Sequence, residues 1–162
     1  MSLVGQLNNT DIDDALILAV IAQESQGYPQ LIACDGGIGL MQVTPGTKAP
    51  LPDAVRPYPY GPIWWDCYET STISTGGRPP WEQLLEPASN ISWGIWVLES
   101  AVARADGDIW RALGYYNCGE TLYDSGEYSG CDRYARRVLF EWYPRILMEL
   151  GREFCLKGFC IR

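Results

Sequence analysis

Glu24 lies in the run Ile21, Ala22, Gln23, Glu24, Ser25, Gln26, and it is the residue in this sequence best placed to do acid and base chemistry. Ile17, Val20 and Glu24 are spaced three and four apart and so share one helical face, which puts the carboxyl group at the end of an apolar row, in the last helical turn. Apolar walls and a helix C-terminus both disfavour a negative charge, and a carboxyl group so placed keeps its proton towards neutral pH and can act as a general acid. Taken alone, a Glu in a last helical turn ordinarily faces solvent. Its company along the chain has to decide.

The elements that would position it can be read in outline. Thr10 with Asp13 gives a capping-box start before residues 15–26, and Gly27 followed by Pro29 stops that helix. A Gly-rich connection, 35–39, leads into Leu40, Met41, Gln42 and Val43, read as one helical turn ended by Pro45. From 49 to 80 periodicity disappears. This Pro-rich stretch carries Tyr58, Tyr60, Trp64, Trp65 and Tyr68 and reads as a long ordered excursion, of the kind that is often functional.

Helices resume at 81–85 with Pro80 at the first position, and at 91–105, opened by Asn90, closed near Gly107 and presenting Ile91, Ile95, Leu98 and Val102 as its core stripe. Another runs from Asp108 to about Tyr116, and a long last one spans about 132–150, bent at Pro144. No strand with sustained alternation is visible. N-x-S/T matches at Asn8 and Asn90 read as helix starts rather than glycosylation sites.

A chain of 162 residues, 47% hydrophobic and 20% charged, is long enough for one sizeable core. The expectation is a mainly α protein, a single domain over 1–162 with the extended aromatic, Pro-rich loop at about 49–80. Seven Trp and ten Tyr against three Phe favour a half-exposed binding groove, since Trp and Tyr keep a polar edge. The net charge of −8 argues against nucleic acid, which calls for a basic patch. It says nothing about a neutral glycan, which would be held by stacking and hydrogen bonds.

Six Cys, no CxxC pair and no His suit disulfides in an oxidising compartment better than a zinc site. No cofactor or metal is expected. Cys155 and Cys160 bracket a short tail that needs tying down. No stretch approaches the roughly 18 apolar residues of a membrane span, and a monomer is expected. The first residues lack the basic start of a signal peptide, and Met1, Ser2 and Leu3 are read as standing in for a removed export signal. An extracytoplasmic location reconciles that reading with the cysteines.

In chain order the sequence offers Glu24 with Ser25, then Gly37, Ile38, Gly39, Leu40, Met41 and Gln42 followed by a Pro45-Gly46-Thr47 turn, then Ala112 to Gly119 including Tyr115, Tyr116, Asn117 and Cys118, then Tyr134, Ala135, Arg136 and Arg137. This ordered set resembles the lytic transglycosylase family, with its goose-type lysozyme-like catalytic domain, over about 15–147. A Glu-Ser pair alone is uninformative and a Tyr-Asn pair weak; the GIGLMQ run with its turn is distinctive. The stretch from Pro87 through Asn90, Ile91 and Gly94 to Leu98 also looks like the family helix that precedes the Tyr-Asn motif.

The resemblance implies a lysozyme-like helical domain acting on peptidoglycan glycan strands. Glu24 would be the sole catalytic acid and base, protonating the leaving glycosidic oxygen and then taking a proton from the muramic acid 6-hydroxyl, so that the product is an anhydro sugar. The substrate's N-acetyl group would stabilise the positive charge at the reacting carbon. No second carboxylate stands at a matching motif position, as a two-carboxylate glycosidase would want.

The resemblance further implies Ser25 as a hydrogen-bond partner near the acid, Gln42 and Asn117 as sugar contacts, and Tyr116 and Tyr134 as groups shaping the pocket. Each has a plainer alternative: Gln42 as a turn cap, Asn117 ending a helix in the left-handed conformation, the tyrosines as half-buried core. Tyr60, Trp64 and Trp65 fit groove walls stacking on sugar faces and core filling equally well. Thr44 and Cys118 stand where many relatives have Met and Ala. Cys118 implies a disulfide to Cys131 that supports the pocket, and Cys34 with Cys67 would pin the aromatic loop. The rivals are a hydrolytic lysozyme on the same scaffold and a catalytically silent glycan-binding domain.

Overall fold

The computed structural model describes residues 2–33, 36–46, 79–126 and 130–152, with the backbone of 154–156 and 159–161. Tyr60, Trp64, Trp65 and the Cys34 to Cys67 pairing lie outside the described residues. The chain forms two compact units, Met1–Gln23 with Ile95–Arg162, and Glu24–Gly94.

The first unit opens with α1 (Leu3–Leu7), capped by the Ser2 hydroxyl, which accepts the Gly5 N–H at 3.1 Å. Asn8 ends this helix instead of starting the next. Its amide donates to the Ile12 carbonyl and to Asp14 Oδ1, both at 2.7 Å, while its Oδ1 accepts from the backbone and hydroxyl of Thr10 at 3.1 and 2.7 Å. Thr10 is consumed in that turn, so the expected capping box does not form. Asp13 caps α2 (Asp14–Ser25) by itself, its Oδ1 accepting the Ala15 N–H at 2.9 Å.

Asp13 also receives both arms of the Arg152 guanidinium, at 2.7 and 2.8 Å, and the Tyr143 hydroxyl at 2.9 Å. The Arg152 bonds are the main reason its carboxyl group is lowered from 3.8 to about 2. Ala15, Leu16, Ile17, Ala19, Val20 and Ile21 are all buried, so α2 is a core helix, apolar nearly all round.

Helix α4 (Pro87–Arg104) crosses from one unit to the other in sequence. It starts a turn earlier than expected, because Pro87 occupies its first position and the Glu86 carboxylate accepts the Ala88 and Ser89 N–H groups at 3.1 and 2.7 Å. Asn90 is therefore interior to the helix. Ile91, Ile95 and Leu98 of the expected stripe are buried; Ala101 and Ala105 extend it to Ala112 and Tyr115, with Val102 and Tyr123 partly buried against them.

Helix α5 (Ile109–Cys118) is capped by Asp108, whose carboxylate accepts the Arg111 N–H at 3.1 Å. It packs on the short α6 (Glu120–Ser125) and on α7 (Gly130–Arg137). Gly114 makes the first contact possible, since a Cβ there would run into the Tyr123 ring. The expected last helix is not continuous. After α7, residues Val138–Trp142 widen into a π-helical turn, in which the Tyr143 N–H reaches Val138 O, before α8 (Tyr143–Glu149) begins with Pro144 in its first turn. Pro144 has no N–H to bond the carbonyl four residues back, and the bulge upstream absorbs the mismatch.

A short antiparallel hairpin follows, β1 (Phe154–Leu156) with β2 (Phe159–Ile161), Cys155 lying opposite Cys160. Its strands have three residues each, too few for alternation to register in the sequence. The architecture is mainly helical, as expected. No helix of the described residues is long and apolar enough to cross a membrane.

The second unit contains the end of α2, the turn region 36–46, α3 (Trp81–Leu84) and the start of α4. Pro80 immediately precedes α3 instead of opening it. Leu31, Ile38, Met41, Val43, Leu84 and Ile91 are among the buried apolar residues described in it.

Candidate active site

In the unit 24–94, Glu24 and Ser25 close α2. The helix stops because Gln26 and Gly27 adopt left-handed backbone angles, φ 53° and 85°. Glu24 is partly exposed and Ser25 is buried. The Ser25 hydroxyl oxygen accepts the Gly27 N–H at 3.2 Å, so it helps shape the turn beneath the carboxyl-bearing residue.

The run Gly37 to Val43 is a tight turn, not the expected helical one. Ile38 and Val43 exchange both backbone hydrogen bonds, at 3.1 and 3.0 Å, and Ile38 also bridges to Ile32. Gln42 sits in the closing position with φ 48°, a conformation L-residues seldom adopt. Its side-chain amide donates to Gly39 O at 2.8 Å and to Leu31 O at 3.2 Å. The turn-cap alternative for Gln42 is therefore realised in the structure. Gly39 must be glycine, having φ 74° and the Leu84 carbonyl 2.6 Å from where a Cβ would stand.

In the other unit, Tyr116 and Asn117 lie near the C-terminal end of α5, and Tyr134 lies in α7. The Tyr116 and Tyr134 rings stack with centroids 6.5 Å apart and planes 22° from parallel; Tyr134 is buried and Tyr116 partly so. Asn117 is exposed, and its amide lies 3.1 Å from Cys118 Sγ. It is helical; the residue of positive φ at the helix end is Gly119, with φ 78° and ψ 152°. The Cys118–Cys131 disulfide joins α5 to α7 with a Cα separation of 5.8 Å.

A network of side-chain bonds joins α5, α6 and α7. Tyr115 donates to Asp124 at 3.1 Å, Arg111 pairs with Asp124 at 3.0 Å, and Trp110 and Tyr123 both donate to Asp132 Oδ1, at 2.9 and 3.2 Å. Burial first, then the bond to Asp124, holds the Tyr115 phenol above its ordinary range, so it stays a donor. Among the described residues no group of three or more His, Cys, Asp or Glu could hold a metal ion.

Two supporting residues escaped the sequence reading. Gln23 accepts from the Trp142 indole N–H at 3.0 Å and so anchors the last turn of α2 one residue before Glu24. Asn90 is fully buried and bonded to the Gln42 turn. Its signal in the sequence was a polar residue in register with Gly94 and Leu98, on the face that α4 buries.

The sequence profile of the transglycosylase SLT domain matches residues 5–62 and 69–126. Membrane-bound lytic murein transglycosylase C from Haemophilus influenzae strain PittGG, and its counterpart in strain Rd, are 32% identical over 92 residues, 55% of this chain and 21% of theirs. The crystal structure of the 70 kDa soluble lytic transglycosylase SLT70 from Escherichia coli superposes with a TM-score of 0.68 at 20% identity, over 93% of this chain and 24% of that one. The chain thus spans about a fifth of the length of the curated relatives it matches, and the structural likeness carries the lysozyme-like helical fold.

Proposed function

The chain belongs to the transglycosylase SLT domain family, and on that premise we propose that it cleaves the β-1,4 bond between N-acetylmuramic acid and N-acetylglucosamine in peptidoglycan without water, leaving 1,6-anhydromuramic acid ends. The observation that carries this reading is the profile match, which includes Glu24, the Gln42 turn and the Tyr116-Asn117 pair within residues 5–62 and 69–126. It is supported by the location of Glu24 in the final turn of a core helix, where the carbonyl end of the helix opposes a fixed negative charge.

Glu24 acts first as acid. Its carboxyl proton goes to the leaving glycosidic oxygen as the bond from the muramic C1 breaks, and the positive charge at C1 is met by the substrate's own N-acetyl oxygen. The carboxylate then takes the proton of the muramic 6-hydroxyl, whose oxygen bonds to C1, and Glu24 is again protonated. Atoms balance without a water molecule or a second carboxylate.

Ser25, Gln42, Asn117, Tyr116 and Tyr134 contact or shape the substrate site in this reading. Tyr60, Trp64 and Trp65 stack on sugar faces, on the ground of sequence alone. The chain works as one domain and as a monomer, outside the cytoplasm where the glycan strands are. Mass spectrometry of digested peptidoglycan tests the reaction: anhydro ends are expected, whereas reducing ends would mean hydrolysis. Glu24→Gln should lower the rate by about 10²- to 10⁴-fold with the fold retained. Undiminished activity would sink the assignment, and binding without cleavage by the unaltered chain would point to a silent glycan-binding domain.

A further inference from the structure

Ser25 and Asn90 are the buried polar side chains among the described residues, and Asn90 is completely inaccessible. An asparagine in that position costs stability unless every polar atom finds a partner. Asn90 meets the condition with three backbone groups, two of them remote in sequence. Its Nδ2 donates to Ile38 O at 2.7 Å and Leu84 O at 2.8 Å, and its Oδ1 accepts the Met41 N–H at 2.8 Å. Two carbonyls on one side and an N–H on the other fix which end of the amide is which. One side chain of α4 thereby grips the entry of the Gln42 turn, its apex and the end of α3.

The same helix is shaped to receive the turn. A Cβ on Gly94, one helical turn after Asn90, would collide with the Met41 side chain, and Met41 and Ile38 are fully buried. The residue following Met41 is Gln42, whose left-handed backbone at φ 48° is unfavourable by about 1–2 kcal/mol and persists only where neighbouring bonds determine it. Its own amide supplies two of them, so both Nε2 hydrogens are spent on Gly39 O and Leu31 O. A Cβ at Gly37 would stand 2.7 Å from Gln42 Oε1, so glycine there keeps a methyl group off that oxygen.

We propose that Asn90 is a positioning residue for substrate, acting through Gln42: it locks the turn so that Gln42 meets the glycan through Oε1 alone, as the acceptor of a sugar hydroxyl or acetamido N–H. This rests on the reading of Gln42 as a sugar contact. It makes Asn90 different from an ordinary core residue, whose replacement would destabilise the chain without regard to what stands at position 42.

A double-mutant cycle of Asn90→Ala and Gln42→Ala on purified glycan strands, run well below the unfolding temperature, tests it. Asn90→Ala in the unaltered chain should lower kcat/KM by about 10- to 100-fold, and in the Gln42→Ala background by no more than about twofold. Equal losses in both backgrounds would overturn the proposal. Asn90→Ser replaces Asn90→Ala in the same cycle if the alanine variant does not fold. Hydrogen exchange provides a readout independent of catalysis: the Ile38 and Val43 amides should exchange faster in either Asn90 variant, while those of α5 do not. If these amides are unchanged the proposal fails, even with cleavage intact; if the unaltered chain cleaves no glycan, the proposed function fails and the exchange result still decides the hold on the turn.

Discussion

In the turn that carries Gln42 the fastening atoms are neutral and largely buried: the Asn90 amide, the Gln42 amide and the backbone pair between Ile38 and Val43. In the helices that carry Tyr116, Asn117 and Tyr134 the fasteners are a disulfide and a set of charged bonds near the surface, with the Arg111 and Asp124 side chains 43% and 41% exposed. A buried amide is effective because it has no alternative partner, and it tolerates no change of shape. An exposed ion pair always has water as an alternative, so the second region relies on a covalent link. The two regions should therefore fail under different insults.

The largest effect is expected from a shape change in the turn. Gly39→Ala adds a methyl group against the Leu84 carbonyl and the Asn90 amide at a residue with φ 74°, and should lower stability by about 2–4 kcal/mol. Chemical denaturation measures this, and a cost under about 1 kcal/mol would mean that the turn yields easily and that its neutral bonds are not a rigid frame. In the helical region the counterpart is the joint replacement of Cys118 and Cys131 by alanine. Freeing a link with a sequence separation of 13 should cost about 3 kcal/mol. Substitution is the cleaner test, because a reductant would act on every disulfide of the chain.

Much of the helical frame was legible. The Ala15 to Gln23 run announces a core helix, with Gly27 after it, and Asp108 announces α5 by the capping chemistry it then performs. The family resemblance pointed to Cys131 as the partner of Cys118. What escaped notice depends on contacts distant in sequence or on elements too short to show a period. Asn90 looked like a helix opener because Asn is a good cap; only the carboxylate of Glu86, taking over that role four residues earlier, reveals it as interior. The Leu40 to Val43 run looked helical because its residues favour helix, but the pairing of Ile38 with Val43 overrides local preference. Short α1, α6 and the hairpin offer no periodicity to detect. Of the site residues, Glu24, Ser25, Gln42, Tyr116, Asn117 and Tyr134 fall within the described residues, while Tyr60, Trp64 and Trp65 lie outside them.

Acid next tests a charged fastener outside both regions against the neutral turn. Asp13, at the start of α2, has its pKa lowered from 3.8 to about 2, chiefly by its bonds to Arg152. A carboxylate depressed on folding contributes stability above its unfolded value and loses it as pH falls towards its folded value. Asp13→Asn keeps a capping side chain but removes the charge, so at neutral pH it should cost up to about 1 kcal/mol. That difference from the unaltered chain should shrink below pH 3.8 and vanish near pH 2, the two pKa limits of Asp13. Urea midpoints across this window measure it, and a difference independent of pH would assign the cost to geometry. The penalty of Gly39→Ala, which involves no titrating group, should show no such fading.

Asp124→Asn is expected to have the smallest effect, and it probes the surface network most directly. The variant retains an oxygen able to accept from Tyr115 and Arg111, which in the unaltered chain lie 3.1 and 3.0 Å away, and removes only the charge. With both partners of the ion pair more than two-fifths exposed, solvent screening leaves about 0.2–1 kcal/mol for that charge, and at about 1 M salt, where the screening length is near 3 Å, most of that should disappear. The thermal midpoint of the variant and of the unaltered chain should therefore converge as salt is added. A loss above about 2 kcal/mol, or one that salt leaves intact, would exceed what an exposed pair supplies. The charged network would then share the work assigned to the disulfide, and the contrast between the two regions would rest on burial alone and no longer on charge.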